Sequence, residues 1–342
     1  MERDVQFIGQ SGAFLDAVER ASRAAAVRRP VLVIGERGTG KELIAQRLHH
    51  LSPRWGEPLV TLNCAALPET LIEAELFGHE AGAFTGAVRA RAGRFEDADR
   101  GTLFLDELGN LSMAAQERLL RAIEYGEVSR IGASQPLSVD VRIVAATNAD
   151  LPALVREGTF RADLLDRLSF EVITLPPLRE REGDVYELAD YYGRRMGSEL
   201  GWKAWPGFSD DAMGQLETYV WPGNVRELRN VCERAVYRWD NEHAAIGEIV
   251  FDPFDSPWAP SAAPVAAAAA APLPADTPRP PGGAQPVASL KAAVEAHERT
   301  ILSAALDRHR WNQRRVAAAL SLSYDQLRHY LKKHGLVRRS ES

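Results

Sequence analysis

The twelve residues 31–42 constrain this chain more than any others, because Val31-Leu-Val-Ile34 runs straight into Gly35-Glu-Arg-Gly38-Thr-Gly40-Lys41-Glu42. A short, β-branched apolar run reads as a buried strand. Gly35, Gly38 and Gly40 let the backbone after it fold tightly enough for its N–H groups to converge on phosphate oxygens, with Glu36, Arg37 and Thr39 between them. Lys41 reaches the outer phosphates, and the helix that opens there adds its positive end. Strand, glycine loop and helix in that order commit the segment to a parallel sheet flanked by helices. The pattern departs from its commonest form at one position. Glu42 stands where a Ser or Thr would touch Mg2+.

The neighbouring sequence supports that reading. Leu59–Leu62, Thr102–Leu105, Val141–Ala146 and Val172–Leu175 read as further buried strands. Helix-like segments lie near 12–26, 41–51, 112–124 and 150–157. Leu103-Phe-Leu-Asp106-Glu107 is an apolar strand ending in two carboxylates. Paired with the glycine loop, they form a nucleotide-hydrolysis site in which Asp106 holds Mg2+ and Glu107 polarises the attacking water. Thr147 and Asn148 end the fourth strand, and strand C-termini line the ligand crevice of such a sheet. Asn148 therefore either senses the γ-phosphate or caps the helix starting near Asp150. After Pro176-Pro177 no strand signal recurs, and 183–240 reads as an all-helical cap.

Composition divides the rest. The 342 residues carry a net charge of −6, but residues 289–342 hold 11 basic and 5 acidic residues, a net of +6 against −12 for the remainder. Only the tail is suited to a polyanion. Nine of the 20 prolines, six consecutive alanines and a Gly-Gly pair fall in 255–288, which reads as a semi-extended linker. Two cysteines exclude a disulfide scaffold and fit a reducing cytoplasm; no apolar run is long enough to span a membrane, and no signal peptide opens the sequence. In the tail, Leu290, Val294, Ile301 and Ala305 lie along one helical stripe with His297 or Glu298. Asn312–Leu320 and Tyr324–Lys333 read as two short helices about the turn Ser321-Leu-Ser323, with Val316, Leu320, Leu322, Leu327 and Leu331 as their shared core. That is a helix-turn-helix. Asn312, Gln313, Arg314, Tyr324, Gln326, Arg328, His329, Lys332 and Lys333 are its candidate DNA contacts. A small helical interaction module with a solvated basic face is the other reading.

Gly35–Glu42, Glu75-Leu-Phe-Gly-His-Glu80, Gly82-Ala83-Phe84-Thr85-Gly86-Ala87, Phe160–Arg167 and Trp221-Pro-Gly-Asn-Val-Arg-Glu-Leu228 together resemble the AAA+ domain of bacterial enhancer-binding proteins, the activators of sigma-54. The tail resembles the helix-turn-helix of the nucleoid protein Fis. The resemblance implies an α/β P-loop ATPase subdomain over 1–176 that contacts sigma-54, a helical lid over 177–254, the linker 255–288 and a Fis-type DNA-binding domain over 289–342. It implies ATP and Mg2+ as cofactors, and the sigma-54 RNA polymerase holoenzyme and enhancer DNA as partners. Each glycine of the Gly82–Ala87 stretch costs a helix about 1 kcal/mol, so the segment reads as a mobile loop. The residues alone leave Phe84 as a core plug or a presented tip, and the resemblance implies the tip that grips sigma-54. Arg161 and Arg167 read as salt-bridge partners or, by resemblance, as arginine fingers given to a neighbour's ATP in a hexameric ring. By resemblance Arg226 is a nucleotide sensor in cis, and Asn63 a switch restraining Glu107. No receiver or sensor segment precedes the motifs, so restraint is expected from a separate protein. Among the phage-shock members that protein is PspA, expected to dock near Trp55 in the turn Pro53-Arg-Trp-Gly. Two further readings stand beside this one: a DNA-binding repressor using ATP only as a ligand, and an AAA+ remodeller unrelated to transcription.

Overall fold

A computed structural model of the chain describes residues 7–84, 86–254 and, in the tail, 298–300, 302–306, 308, 313, 316–317, 320, 322, 324–334 and 336. The chain divides into two compact units, Met1–Pro260 and Ser261–Ser342. Thr85, the linker 255–288, Leu290, Val294, His297, Ile301, Asn312 and Arg314 lie outside the described residues.

The first unit is built on five strands: β1 (Val31–Ile34), β2 (Leu59–Asn63), β3 (Thr102–Asp106), β6 (Arg142–Thr147) and β7 (Glu171–Thr174). They pair in the order β2-β3-β6-β1-β7, parallel throughout. Alternation along each strand feeds two cores. Leu32, Leu103, Leu105, Ile143 and Ala145 face one side, while Val31, Val33, Phe104, Val144 and Ala146 face the other. The second side is covered by α1 (Gly12–Ala25) and α2 (Lys41–His50), through Phe14, Ala17, Ala21, Ile44, Ala45 and Leu48. The first is covered by α3 (Glu69–Phe77), α5 (Met113–Tyr125) and α7 (Ala162–Leu168), through Leu76, Leu119 and Leu164 among others.

Sequence reading and structure part company in three places. β4 (Glu127–Val128) and β5 (Leu137–Ser138) pair as a small antiparallel hairpin, too short to show any periodicity. The helix α3 had no clear signature of its own. Within β6 the buried Arg142 breaks the apolar pattern. It donates to the carbonyls of Ala24, Ala25 and Leu48, so one guanidinium satisfies the C-terminal ends of α1 and α2. Burial pulls its pKa down to about 10.

After β7, the helices α8 (Asp184–Glu199), α9 (Asp210–Thr218) and α10 (Asn224–Arg238) close over Leu188, Leu216, Trp221, Leu228, Val231 and Cys232. The second unit centres on Leu302, Leu306, Val316, Ala317, Leu327 and Leu331, with Leu320 and Leu322 packed against them. Leu302 and Leu306 thus join the core expected from the sequence. Tyr324–Lys333 is helical, and on it Gln326, His329, Lys332 and Lys333 are exposed. Lys333 and His334 both reach Glu298, at 2.9 and 2.8 Å. Among the described residues no helix is long and apolar enough to cross a membrane.

Candidate functional site

Because the sheet is parallel, β1, β3 and β6 all end on one edge, and the chemistry-bearing residues gather there. Gly35 donates its N–H to the Thr147 carbonyl at 3.2 Å, which ties the start of the glycine loop to the end of β6. Thr39 bonds back to the Glu36 carbonyl at 2.9 Å. Lys41 is buried and its ammonium donates to the Gly35 carbonyl at 2.9 Å. Burial pushes its pKa down, while Glu107 and Asp106 pull the other way. The cation and the two acids therefore share one electrostatic site.

Asp106 accepts the Glu107 N–H at 3.0 Å and the Asn63 side-chain amide at 3.3 Å. Asn63 and Asp106 are register partners at the ends of β2 and β3. Asn63 thus grips Asp106, whereas the resemblance pointed it at Glu107. Glu107 is 8% exposed, sits at φ +55° where the strand reverses into a short 3-10 turn, and faces Arg37 at 3.8 Å. Such a backbone costs a non-glycine residue about 1 kcal/mol or more, and it aims the carboxylate back toward the loop. Asn148 is exposed beyond β6, and the helix cap it competed for belongs to Asp150, whose carboxylate accepts the Ala153 N–H at 3.0 Å.

The lid lies directly on the loop. Gly38 has φ +79°, and a Cβ there would run into the Gly223 carbonyl and press on Arg226. Three polar clamps, none anticipated from the sequence, join the two. Arg179 grips the Glu36 carboxylate at 2.7 and 3.0 Å. Asn224 donates to Glu36 at 3.1 Å and to the Arg37 carbonyl at 2.9 Å. Arg181 donates to the Thr39 carbonyl at 2.8 Å. Arg179 and Asn224 hold the Glu36 carboxyl down at about 2. The one available signal was Asn224 itself, which follows Pro-Gly and adopts φ +52°, a conformation Asn tolerates well.

Arg161 and Arg167 bracket α7 and make no contact with the loop of their own chain. Arg161 pairs with Asp163 at 2.7 Å, and Arg167 with Glu124 at 2.8 Å. Arg167 lines a cavity with Arg28, Arg29 and Pro30, where β1 begins, at the far edge of the sheet from Gly35.

The segment 78–91 is a separate feature. His79 and Arg91 exchange backbone bonds of 3.0 and 2.9 Å, and Glu80 donates to the Ile131 carbonyl at 2.9 Å. Arg130 braces this stem from below, reaching Glu96 at 2.7 Å and Glu80 at 3.1 Å. Beyond the stem, Gly82 donates to the Ala87 carbonyl at 2.7 Å and Ala87 to the Phe84 carbonyl at 3.0 Å. Phe84 is 40% exposed, its ring edge-on to His79 at 5.0 Å. It is neither a core plug nor a free tip, because it leans on one side chain. Trp55, on another turn, is 71% exposed.

Which family builds such a site is settled by comparison with known proteins. A sigma-54 interaction domain matches residues 7–174, an AAA+ ATPase lid domain 179–250, and a bacterial regulatory protein of the Fis family 293–334. The Psp operon transcriptional activator of Escherichia coli (strain K12) is 51% identical over 328 residues, which is 96% of this chain and 97% of that one. The chain belongs to the sigma-54-dependent transcriptional activators. The anaerobic nitric oxide reductase transcription regulator NorR of Klebsiella pneumoniae (strain 342) is 44% identical over 97% of this chain, which spans 62% of NorR. NtrX from Brucella abortus, solved in complex with ATP, superposes with a TM-score of 0.67 at 29% identity, over 96% of this chain and 70% of that one. As a sigma-54 activator, the molecule combines an AAA+ ATPase body with a helix-turn-helix DNA-binding unit.

An adenine nucleotide with Mg2+ fits the residues present. Backbone N–H groups and Lys41 suit the phosphates. Asp106 would hold Mg2+, a cation that proteins bind through as few as one or two carboxylates. Glu42 is solvent-exposed.

Proposed function

We propose that this activator hydrolyses ATP between neighbouring subunits of a ring and spends the resulting motion on the sigma-54 RNA polymerase holoenzyme, converting closed promoter complexes to open ones. One observation carries the reading. Lys41, Asp106 and Glu107 share a single edge of the sheet, while Arg161 and Arg167 have only local acidic partners, and Arg167 stands at the opposite edge. Where the two candidate finger arginines lie away from their own chain's site, a neighbour can supply them, and one heterologous contact repeated round a closed ring does so for every subunit. The family's ring is a hexamer, which we adopt for this chain.

In that reading the loop 35–42 cradles the phosphates and Lys41 draws charge from the outer two. Asp106 would hold Mg2+, which when bound would supply positive charge beside the phosphates. Glu107 orients and polarises water, Asn148 senses the γ-phosphate, and Arg226 reads the nucleotide from the lid. Asn63 acts on this pair of acids through Asp106. Gly82–Ala87, with Phe84 and Thr85, is the sigma-54 grip. Residues 289–342 tether the ring to enhancer DNA through Asn312, Gln313, Arg314, Tyr324, Gln326, Arg328, His329, Lys332 and Lys333, which raises its concentration at a looped promoter. The domain limits 1–176, 177–254, 255–288 and 289–342 belong to the same proposal. So does a cytoplasmic, nucleoid-associated location. The likeness to the Psp operon activator supports a phage-shock operon as target, and the exposed Trp55 supports restraint by PspA at that turn.

Turnover per subunit should rise with protein concentration as rings form, and enhancer-bearing sigma-54 promoters should melt only when ATP is supplied. ATP binding without concentration-dependent turnover would leave instead a DNA-binding repressor with a nucleotide ligand. Turnover without promoter melting would leave a remodeller of some other target.

A further inference from the structure

The segment before α1 crosses from the body to the lid. Phe7 packs against the core shared by α1 and α2, and Ile8, one residue on, against the lid core that holds Leu188 and Trp221. Gln10 and Ser11 donate their backbone N–H groups to one carboxylate oxygen of Asp184, at 2.6 and 2.9 Å, and the Ser11 hydroxyl donates to the other at 2.9 Å. Asp184 is the first residue of α8 and is fully buried, so its charge is stabilised by those three bonds and by the positive end of the helix. Gly9 lets the chain pass this close. Its backbone has φ +142°, and a Cβ there would lie 2.6 Å from the Asp184 carboxylate and 2.8 Å from the Phe14 ring. On the turn that leads into α8, the buried Arg181 guanidinium lies over the same Phe14 ring at 4.5 Å and donates to the carbonyls of Pro176 at 3.0 Å and Thr39 at 2.8 Å. The Thr39 carbonyl and the Gly40 N–H belong to one rigid peptide plane. A guanidinium on the first therefore fixes the direction of the second, inside the phosphate loop.

We propose that the Ser11–Asp184 contact is a latch on the lid hinge, and that Asp184 is a positioning residue that sets how firmly the site retains nucleotide. The inference rests on the nucleotide site proposed above and adds to it what holds the lid against the body. A lid turning away must break the Asp184 bonds or drag Gln10 and Ser11 with it. Those residues lead directly into α1, whose Phe14, Ala17 and Ala21 are fixed in the body core. Breaking the bonds strands a buried carboxylate, which is costly. The same rotation carries Arg181 off the Thr39 carbonyl, because Arg181 and Asp184 share one turn, closed by the Asp184 N–H on the Arg181 carbonyl at 3.2 Å. The two side chains also support each other. Burial pulls the Arg181 pKa down to about 10, and the Asp184 charge opposes that fall. The latch touches no reacting atom, so it contributes alike to bound nucleotide and to the transition state and leaves the chemical step as it is.

Two variants of the full-length protein open the latch in different ways. Ser11→Ala removes one bond, and Gly9→Ala pushes a methyl group against the carboxylate. The probe is ADP carrying an N-methylanthraniloyl fluorophore on its ribose, chased from the protein by excess ADP. Ser11→Ala should release it about fivefold faster than the wild type, and Gly9→Ala at least as fast. In steady-state turnover, KM for ATP should rise by a similar factor while kcat stays within about twofold. Ile246→Val is the control for general loosening. Ile246 is buried in a separate lid cluster, against which Met196 near the other end of α8 packs, and its truncation should leave release unchanged. Wild-type release rates in Ser11→Ala overturn the latch, and that variant decides alone if Gly9→Ala does not fold. Equally fast release from Ile246→Val overturns it too, as does a fall in kcat at constant KM. A wild type that does not bind the probe overturns the nucleotide-site proposal itself, and this inference with it.

Discussion

The loop Gly35–Glu42 and the tip Gly82–Ala87 are both built on glycines at positive φ, yet they are held in opposite ways. The first is pinned on every side. Its lysine bonds its own carbonyls, and three clamps from Arg179, Arg181 and Asn224 fasten it to the lid. The second has a braced stem at His79–Arg91, and beyond it the bonds stay within the segment. Among the described residues, four backbone bonds (Gly82 to Ala87, Ala83 to Glu80, Ala87 to Phe84 and Val88 to Gly86) and the edge of His79 hold a tip whose neighbour Val88 is 85% exposed. Glycine serves two ends here. In the phosphate loop it permits close approach, and at the tip it leaves conformations open. A rigid site coupled to a loose tip is what a machine needs if small changes at the phosphates are to become large displacements elsewhere.

The largest expected effect tests whether the rigid site is complete in one subunit. Arg167→Ala should lower ATP turnover by on the order of 10³, as loss of an arginine finger does in other phosphoryl-transfer sites. Glu107→Gln should lower it by about 10² or more. Neither change should impair assembly, so equal mixing of the two inactive variants should restore about a quarter of wild-type turnover, since one interface in four then joins an intact Glu107 to an intact Arg167. Phosphate release measured across mixing ratios decides the matter. Mixtures as inactive as their parts would place the arginine in cis and detach the site from ring formation.

A paired substitution compares the two glycine loops directly. At Gly38 an added methyl group meets the lid backbone and the residue sits at φ +79°. Gly38→Ala should cost roughly 3 kcal/mol, from left-handed strain plus overpacking. At Gly82 the φ of +82° is similar but nothing lies within 4 Å. Gly82→Ala should cost only about 1 kcal/mol. For a body of this size the thermal midpoints should fall by roughly 9 °C and 3 °C. Equal shifts would mean that the lid does not rest on the phosphate loop as described.

How far the sequence anticipates each region follows from the range of the interactions involved. Val31–Ile34 followed by Gly35–Lys41, and Leu103–Leu105 followed by Asp106-Glu107, are local patterns, and strand ends and site residues can be read from them within a residue or so. Arg179 and Asn224 are different. Their partner Glu36 is 143 and 188 positions away, so only the folded chain brings them together. Arg142 is legible in neither way, since a charge inside an apolar strand looks like a defect until the ends of α1 and α2 are placed beside it. At the tip, the sequence conveys the glycine spacing but not the ring of His79 on which Phe84 leans, because that contact depends on how the stem pairs. Local periodicity encodes the scaffold, whereas the clamps that make one loop stiff and the other loose are long-range or depend on backbone pairing.

The smallest effect concerns what stiffens the phosphate loop, and it is resolved by pH. The Glu36 carboxyl sits near 2 in the folded protein, below its ordinary value of 4.5, because Arg179 and Asn224 bond the charged form. The folded state therefore releases this proton more readily than the unfolded one. The stabilisation is fully present above about pH 4.5 and drains away as the pH falls toward 2. Both side chains of the Glu36–Arg179 pair are about two-fifths exposed, so solvent screens it and its worth at neutral pH is under about 1 kcal/mol. Urea unfolding of wild type and Arg179→Ala should differ by that small amount at pH 6 and by less at pH 3, where Glu36 is charged in the folded state and largely protonated in the unfolded one, so that only part of the bond's value remains. Among the described residues the tip has no comparable carboxylate bond, and Phe84→Ala should show a difference from wild type that does not change over the same interval. If the Arg179→Ala difference is likewise constant with pH, the clamp acts through packing of the arginine stem, and charge is not what separates the stiff loop from the loose one.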